Sequence, residues 1–349
     1  MNNLFGQSKK QLQALCEAEG FPRYTAGQLC DWLYAKRVSS IDEMTNLSLK
    51  TRARLKEISE VRHLTPVECQ VSHDGTKKYL FEVHPTGASA KSKQAQYVEA
   101  VFIPDEERGT LCLSSQCGCR MGCRFCATGQ QGYHGDLSAS EIVGQVIGIP
   151  EYERLTNIVF MGMGEPMDNY DNVLLATEIL TSEWGMGFSP RRITVSSVGI
   201  TPKLQQFIEE SQCHVAVSLH QANSEARQQL MPMEKAYPIA KTIEMLRRYD
   251  WTGQRRISFE YTMLAGINDR LEQAAAVEQL LRGLPCRVNL IRYHSTPHAP
   301  YKTSMPLTIN AFREYLNRHG ITCTLRASRG EDIMAACGLL AGKNNDNKK

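Results

Sequence analysis

The sequence predicts an α/β protein: a partial (β/α)6 barrel, preceded by a small helical domain and a β-hairpin extension. Three observations carry this. From about residue 106, short apolar and β-branched runs at 109–115, 157–162, 192–197, 214–219, 257–264 and 287–293 alternate with longer amphipathic stretches, as parallel strands joined by crossover helices do. Residues 63–105 instead keep a two-residue period around Asp74-Gly75, a hairpin turn signal. Residues 1–62 read in helical periods. Six alternating units favour an incomplete barrel over the alternative, a doubly wound open sheet.

Taken in order, three helices are expected first, at 8–20, 25–37 and 47–59, the last carrying Lys50, Arg52, Arg54 and Lys56 on its outer side. Such a module is either a buttress or a nucleic-acid reader. The hairpin follows, then a polar stretch at 86–96 and a strand at 97–104 ended by Pro104. Within the barrel, Ser138 and Glu141 form a capping box, and Thr201-Pro202 reads as an N-cap followed by proline. Amphipathic helices are expected at 238–249, 270–282 and 309–319. The parsing is therefore 1–62, 63–105 and 106–342, with a disordered tail at 343–349.

Composition is that of an ordinary globular chain, with 42% apolar and 22% charged residues in 349. The start of the chain lacks the apolar core of a signal peptide, and no apolar run reaches membrane-spanning length. Twelve cysteines with no export signal point to a reducing cytoplasm, where thiols bind metal or do chemistry. A net charge of +3 neither demands nor excludes a polyanionic partner.

The chemistry concentrates after the first barrel strand. Cys119, Cys123 and Cys126 are spaced Cys-x3-Cys-x2-Cys. Three thiolates on one short loop can hold three corners of a [4Fe-4S] cubane and leave the fourth iron open to the amino and carboxylate groups of S-adenosylmethionine. Zinc is the competing reading, although no second cysteine knuckle exists. Cys117 reads as a bystander, and Cys16, Cys30, Cys69, Cys213, Cys286 and Cys323 as packing. In such barrels chemistry gathers at the C-terminal strand ends. Gly164-Glu165 ends the second strand, Ser196 the third, Ser218-Leu219-His220 the fourth, and His294 the sixth. Gly164 allows close backbone approach to a ligand, and Glu165 can accept from an ammonium group. Each of these has an ordinary reading as a turn former or packed residue. So have Glu99, Cys112 and Cys337, the last set among the small Ala335, Ala336 and Gly338.

The cysteine loop resembles that of radical S-adenosylmethionine enzymes. Together with Tyr97-VEAVFIP, Met161-GMGEPMDNYDNV, Arg192-ITVSSVG and Arg329-GEDIMAACG, it makes the chain similar to the RlmN/Cfr family of RNA adenine methyltransferases, from about Leu12 to Gly342. The resemblance implies a six-unit radical-SAM barrel, an N-terminal module that helps bind RNA, and methylation of carbon 2 of adenine in 23S rRNA and tRNA. The Cfr-type carbon-8 reaction is the alternative, and a zinc-stabilised RNA-binding module a third. Cys119, Cys123 and Cys126 would ligate the cluster. Gly164, Glu165, Ser196, Ser218, Leu219, His220 and His294 would line the S-adenosylmethionine pocket, with two S-adenosylmethionine molecules used per turnover. Cys337 would carry a transferable methyl, Cys112 would resolve the protein–RNA adduct through a transient disulfide, and Glu99 would match the family's proposed base. A flavodoxin- or ferredoxin-like electron donor and a monomeric state are also implied. Two departures stand out: the family usually has Asn at the position of His294, and an apolar residue at that of Cys117.

Overall fold

The computed structural model describes residues 2–86, 95–253, 255–296 and 299–342. The tail at 343–349 and most of the polar stretch after Thr86 lie outside them. Ten strands form one sheet: β1 (Pro66–Val71), β2 (Lys77–Val83), β3 (Gln96–Pro104), β4 (Gly109–Cys112), β5 (Asn157–Phe160), β6 (Ile193–Ser197), β7 (His214–Ser218), β8 (Ile257–Met263), β9 (Arg287–Arg292) and β10 (Thr322–Leu325). Each strand neighbours the next in sequence. From β4 to β10 every pairing is parallel; from β1 to β4 every pairing is antiparallel.

The β-hairpin extension is continuous with the barrel sheet, because β3 pairs directly with β4. One expectation changes. A seventh parallel strand, β10, follows the six expected. Its T-C-T-L sequence buries only Cys323 fully, so it shows little of the apolar run that marks the inner strands.

The crossover helices begin as local chemistry dictates. Ser138 caps the helix Ala139–Ile147, accepting from the Glu141 amide while the Glu141 side chain accepts from Ser138 in return. The helix Thr201–Glu210 differs: Ile200 holds the cap position and Pro202 is the second helical residue. The Thr201 hydroxyl turns instead to the Gly199 carbonyl and the Thr242 hydroxyl, at 3.2 and 2.9 Å.

The N-terminal helices are Lys9–Ala18, Thr25–Cys30, which continues into a π-helical turn at Asp31–Ala35, and Leu49–Ile58. They share the barrel's hydrophobic core. Tyr34 packs edge-on against Trp184 of the barrel, 5.9 Å between centroids. Gly6 lies so close to Ser140 that a Cβ there would fall 2.4 Å from that residue's side chain. The module is thus fastened to the face of the barrel as well as tethered to it.

Candidate active site

The cysteine loop is closed by a short hairpin that its sequence concealed. Gln116–Gly118 pairs antiparallel with Tyr133–Asp136, and the Cys119 amide donates to the Gly132 carbonyl at 2.8 Å. Gly118 is required at this neck: it has φ +68°, and a Cβ would sit 1.9 Å from the Gly132 oxygen. Cys117 faces away from the chemistry. It is buried in the hairpin and does not line the cavity that the other three cysteines share.

That cavity, open to solvent on one side, lies at the C-terminal ends of the parallel strands. It brings together Cys119, Cys123, Cys126, Gly164, Glu165, Ser196, Ser218, His220 and Cys337. Burial pushes the Cys119 thiol up to about 12 and raises Cys123 well above its ordinary value, and each of the two is also raised by the charge of Cys126. Neighbouring thiolates in so dry a place need positive charge between them, and a cubane supplies it. Among the described residues no three or more His, Cys, Asp or Glu side chains are gathered about the position of a single ion. A cubane needs no such point, since each thiolate takes a separate iron. The donor set therefore fits the cluster.

Glu165 is sealed beneath this loop. It accepts from the Val198 and Met167 amides at 2.9 and 3.1 Å. Burial, against these hydrogen bonds and that of Ser197, still raises its carboxyl to about 7. As carboxylate it could accept from the amino group of S-adenosylmethionine. Its backbone is set by Gln116, whose carbonyl accepts from the Glu165 amide at 2.8 Å while its amide donates to Asp136 and Asp168, both at 2.8 Å. Gly164, at φ +100°, passes so near Gln116 that a Cβ would lie 2.6 Å from that side chain.

His220 adopts φ +54°, unusual for a non-glycine residue. Its Nδ1 accepts from the Thr262 amide at 2.9 Å, which puts the ring proton on Nε2. Burial, with Arg227 nearby, lowers its pKa to about 3, so the ring is neutral. It packs edge-on against Phe125 of the cysteine loop, 4.7 Å between centroids. Arg227, whose sequence setting is that of a surface helix residue, is buried and donates to the carbonyls of Ser218, Leu219 and Val198, with Glu234 as its counter-ion. It ties together the ends of β6 and β7. Leu219 itself is fully buried and does not line the cavity; its amide donates to the Glu260 carbonyl at 2.9 Å and its carbonyl accepts from Arg227.

Cys337 is open to the cavity and yet deep within protein, which raises its thiol. Cys112, at the end of β4, stands close behind it. Burial and then the charge of Cys337 push the Cys112 thiol up to about 12, and Arg326 acts on both sulfurs in the opposite direction. Arg326 is held by Glu260 at 3.1 Å.

Three residues lie elsewhere than the sequence reading places them. His294 is not at the cavity; its ring nitrogens engage Glu331 and Ser328, each at 3.0 Å, and so hold the segment after β10. Glu99 is not at the cavity either. Its carboxylate is taken by Lys78 at 3.0 Å and by the Ala341 and Gly342 amides at 2.8 and 3.2 Å. Cys69, read as packing, is exposed near the sheet edge.

Residues 113–276 match the model of the radical SAM superfamily, and residues 2–61 match the ribosomal RNA large subunit methyltransferase N-terminal domain. The probable dual-specificity RNA methyltransferase RlmN of Phocaeicola vulgatus is 52% identical over 338 residues, covering 97% of this chain and 94% of the relative. The chain belongs to the RlmN family. The Syntrophus aciditrophicus RlmN, a dual-specificity RNA methyltransferase, is 39% identical and covers 98% of this chain and 97% of its own. A radical SAM methyltransferase from Sphaerobacter thermophilus superposes with a TM-score of 0.89 at 40% identity, over 98% of this chain and 100% of that one. RlmN membership makes the chain a radical SAM methyltransferase whose cofactors are a [4Fe-4S] cluster and S-adenosylmethionine, and it removes the zinc-module alternative. No described helix is long and apolar enough to cross a membrane.

Proposed function

We propose that the protein methylates carbon 2 of adenine in RNA, with 23S rRNA and tRNA as its substrates, by way of a methyl group carried on Cys337. The observation that carries this is the meeting of the cysteine triad, Glu165, His220 and Cys337 in one cavity, with the Cys112 thiol close behind Cys337. When bound, the cluster and S-adenosylmethionine supply the electron and the 5′-deoxyadenosyl radical that make an unreactive ring carbon accessible.

The chain's residues do the rest. Cys119, Cys123 and Cys126 hold the cluster. Gly164, Glu165, Ser196, Ser218 and His220 receive S-adenosylmethionine, with Glu165 accepting from its amino group. Cys337, as thiolate, first takes a methyl from one S-adenosylmethionine. Once that methyl has given up one hydrogen atom to the 5′-deoxyadenosyl radical and its carbon has replaced the ring hydrogen, which leaves as a proton with one electron returned to the redox centre, Cys112 attacks the Cys337 sulfur. The S–S bond forms, the S–C bond breaks, and its electron pair leaves with the carbon, which takes a proton to become methyl. The disulfide is then reduced for the next turnover. Arg326, acting on both sulfurs, favours the thiolate that each step requires. A flavodoxin- or ferredoxin-like donor in the cytoplasm completes the reading.

The test uses cluster-loaded protein, S-adenosylmethionine, a reductant and RNA, with nucleosides resolved by mass spectrometry. 2-Methyladenosine is the expected product. 8-Methyladenosine would reassign the ring position, and no methylated adenosine would overturn the proposal. Replacing Cys112 by Ala should leave protein covalently bound to RNA on denaturing gels, and replacing Cys337 by Ala should abolish both product and adduct.

A further inference from the structure

Besides the His294 contacts to Ser328 and Glu331, the segment that carries Cys337 is fastened at three places. At its start, the Gly330 amide donates to Asp74 at 3.0 Å, and Asp332 accepts from the Ser72 hydroxyl at 2.5 Å and the His73 amide at 3.2 Å, all in the β1–β2 turn. In its middle, the Gly338 carbonyl accepts from the Ala127 amide at 2.8 Å and the Leu340 carbonyl from the Thr128 hydroxyl at 2.6 Å. Ala127 directly follows Cys126, so the segment is fixed to the cysteine loop itself. At its end stands Glu99, on β3. One of its oxygens receives the Ala341 and Gly342 amides, and the other pairs with Lys78 of β2. Glu99 and Lys78 are both largely shielded, with side-chain exposures of 9% and 11%. Gly342 fits against the same strand only because it lacks a Cβ, which would fall 2.6 Å from the Tyr97 carbonyl.

We propose that Glu99 is a positioning residue, a clasp that seats the Cys337 segment between β3 and the cysteine loop and so sets the thiol at the cavity. Both carboxylate oxygens are committed to the clasp and neither lines the cavity. Buried charge-assisted bonds to two backbone amides are among the stronger local restraints available to a chain. Without them the last fastening of the segment is lost, and Cys337 is held from one side and by the loop alone. The meaning of this placement for catalysis rests on the reading of Cys337 as the methyl carrier, whereas the placement itself does not.

The test compares wild-type, Glu99→Ala, Glu99→Gln and Lys78→Met, each as full-length, cluster-loaded protein without RNA. Two quantities are read by peptide mass spectrometry: amide hydrogen exchange over residues 336–342, and the rate at which iodoacetamide alkylates Cys337. The exposed Cys69 serves as internal control. In Glu99→Ala, exchange at 341 and 342 should rise by about ten- to a hundredfold, as loss of hydrogen bonds to a charged group predicts. Alkylation of Cys337 should rise with it, while Cys69 is unchanged. Glu99→Gln keeps a carbonyl for the two amides and loses the charge, so it should fall between wild-type and Ala. Lys78→Met should loosen the segment less than Glu99→Ala, and it tests the clasp independently should that variant fold poorly. Unchanged exchange and alkylation in Glu99→Ala would overturn the proposal; if that variant also accumulated protein–RNA adduct, Glu99 would be the proton acceptor instead. RNA methylation by Cys337→Ala would remove the methyl-carrier reading and leave the exchange result standing.

Discussion

Glu165 and the cysteines show how far a single residue's environment states its task. A carboxyl at about 7 in a site that accepts from an amino group makes binding depend on pH. The accepting form is the carboxylate, so protonation of Glu165 opposes binding. Affinity of cluster-loaded protein for S-adenosylmethionine should therefore be level above about pH 8 and fall below pH 7, approaching about tenfold per pH unit. Calorimetry from pH 5.5 to 8.5 would measure it. Glu165→Gln should bind more weakly at high pH and show no such slope from this group; an unaltered slope in that variant would place the titration elsewhere. The same logic separates Cys117 from its neighbours. Replacing Cys119, Cys123 or Cys126 by Ala should cost the cluster, read as iron per protein and the brown absorbance. Cys117→Ala should retain it, since that thiol is enclosed in the hairpin strand.

At the scale of elements, the rim of the barrel is held by polar residues that strands and loops bury together. Arg227 is the chief example, spanning the ends of β6 and β7 through three carbonyls. Arg227→Met would leave Glu234 as a buried charge without its counter-ion, held only by the Ser224 hydroxyl and the Ile239 amide, and free those carbonyls, at a cost of about 3–5 kcal/mol, read as a lower urea midpoint with an unchanged slope. A loss under about 1 kcal/mol would mean that the rim is held by packing instead. Its place is not legible in the sequence. In S-E-A-R-Q-Q-L it looks like any exposed arginine on a polar helix, because its partners come from two other loops. Gln116 is hidden likewise, and so is β10, whose edge position leaves it without an apolar run. By contrast, the six inner strands, the Ser138 cap and the cysteine loop are legible, since each is written in local spacing. Glu99 and His294 are placed by resemblance alone; their distance from the cavity follows from where the segment after β10 comes to rest, which no local pattern encodes.

For the whole molecule, the open question is how RNA reaches the cavity, and the N-terminal module bears on it. Its basic helix is less free than its sequence implies. Arg54 is paired with Glu19 and Glu57, and Lys56 with Asp42. Arg52 donates to the Asp42 carbonyl, while Lys50 is exposed beside the groove that contains Tyr24 and Arg54. Deleting residues 1–62 is a poor test, because it would strip Tyr34 from Trp184 and open the barrel core shared with the module. Neutralising Lys50, Arg52 and Lys56 together by Ala keeps the core and removes three positive charges and the contacts of two of them to Asp42. If these side chains meet phosphates, RNA affinity should fall, and the slope of log affinity against log salt should flatten by about 0.7 for each phosphate they neutralise. Since Lys56 and Arg52 already have partners within the module, the flattening should be nearer to that of a single phosphate than to that of three. S-adenosylmethionine cleavage in the absence of RNA should be unchanged. An unaltered salt slope in the triple variant would leave the module as a buttress of the barrel and move the search for the phosphate-binding side chains to the cavity rim, where Arg124 lies exposed within the cysteine loop.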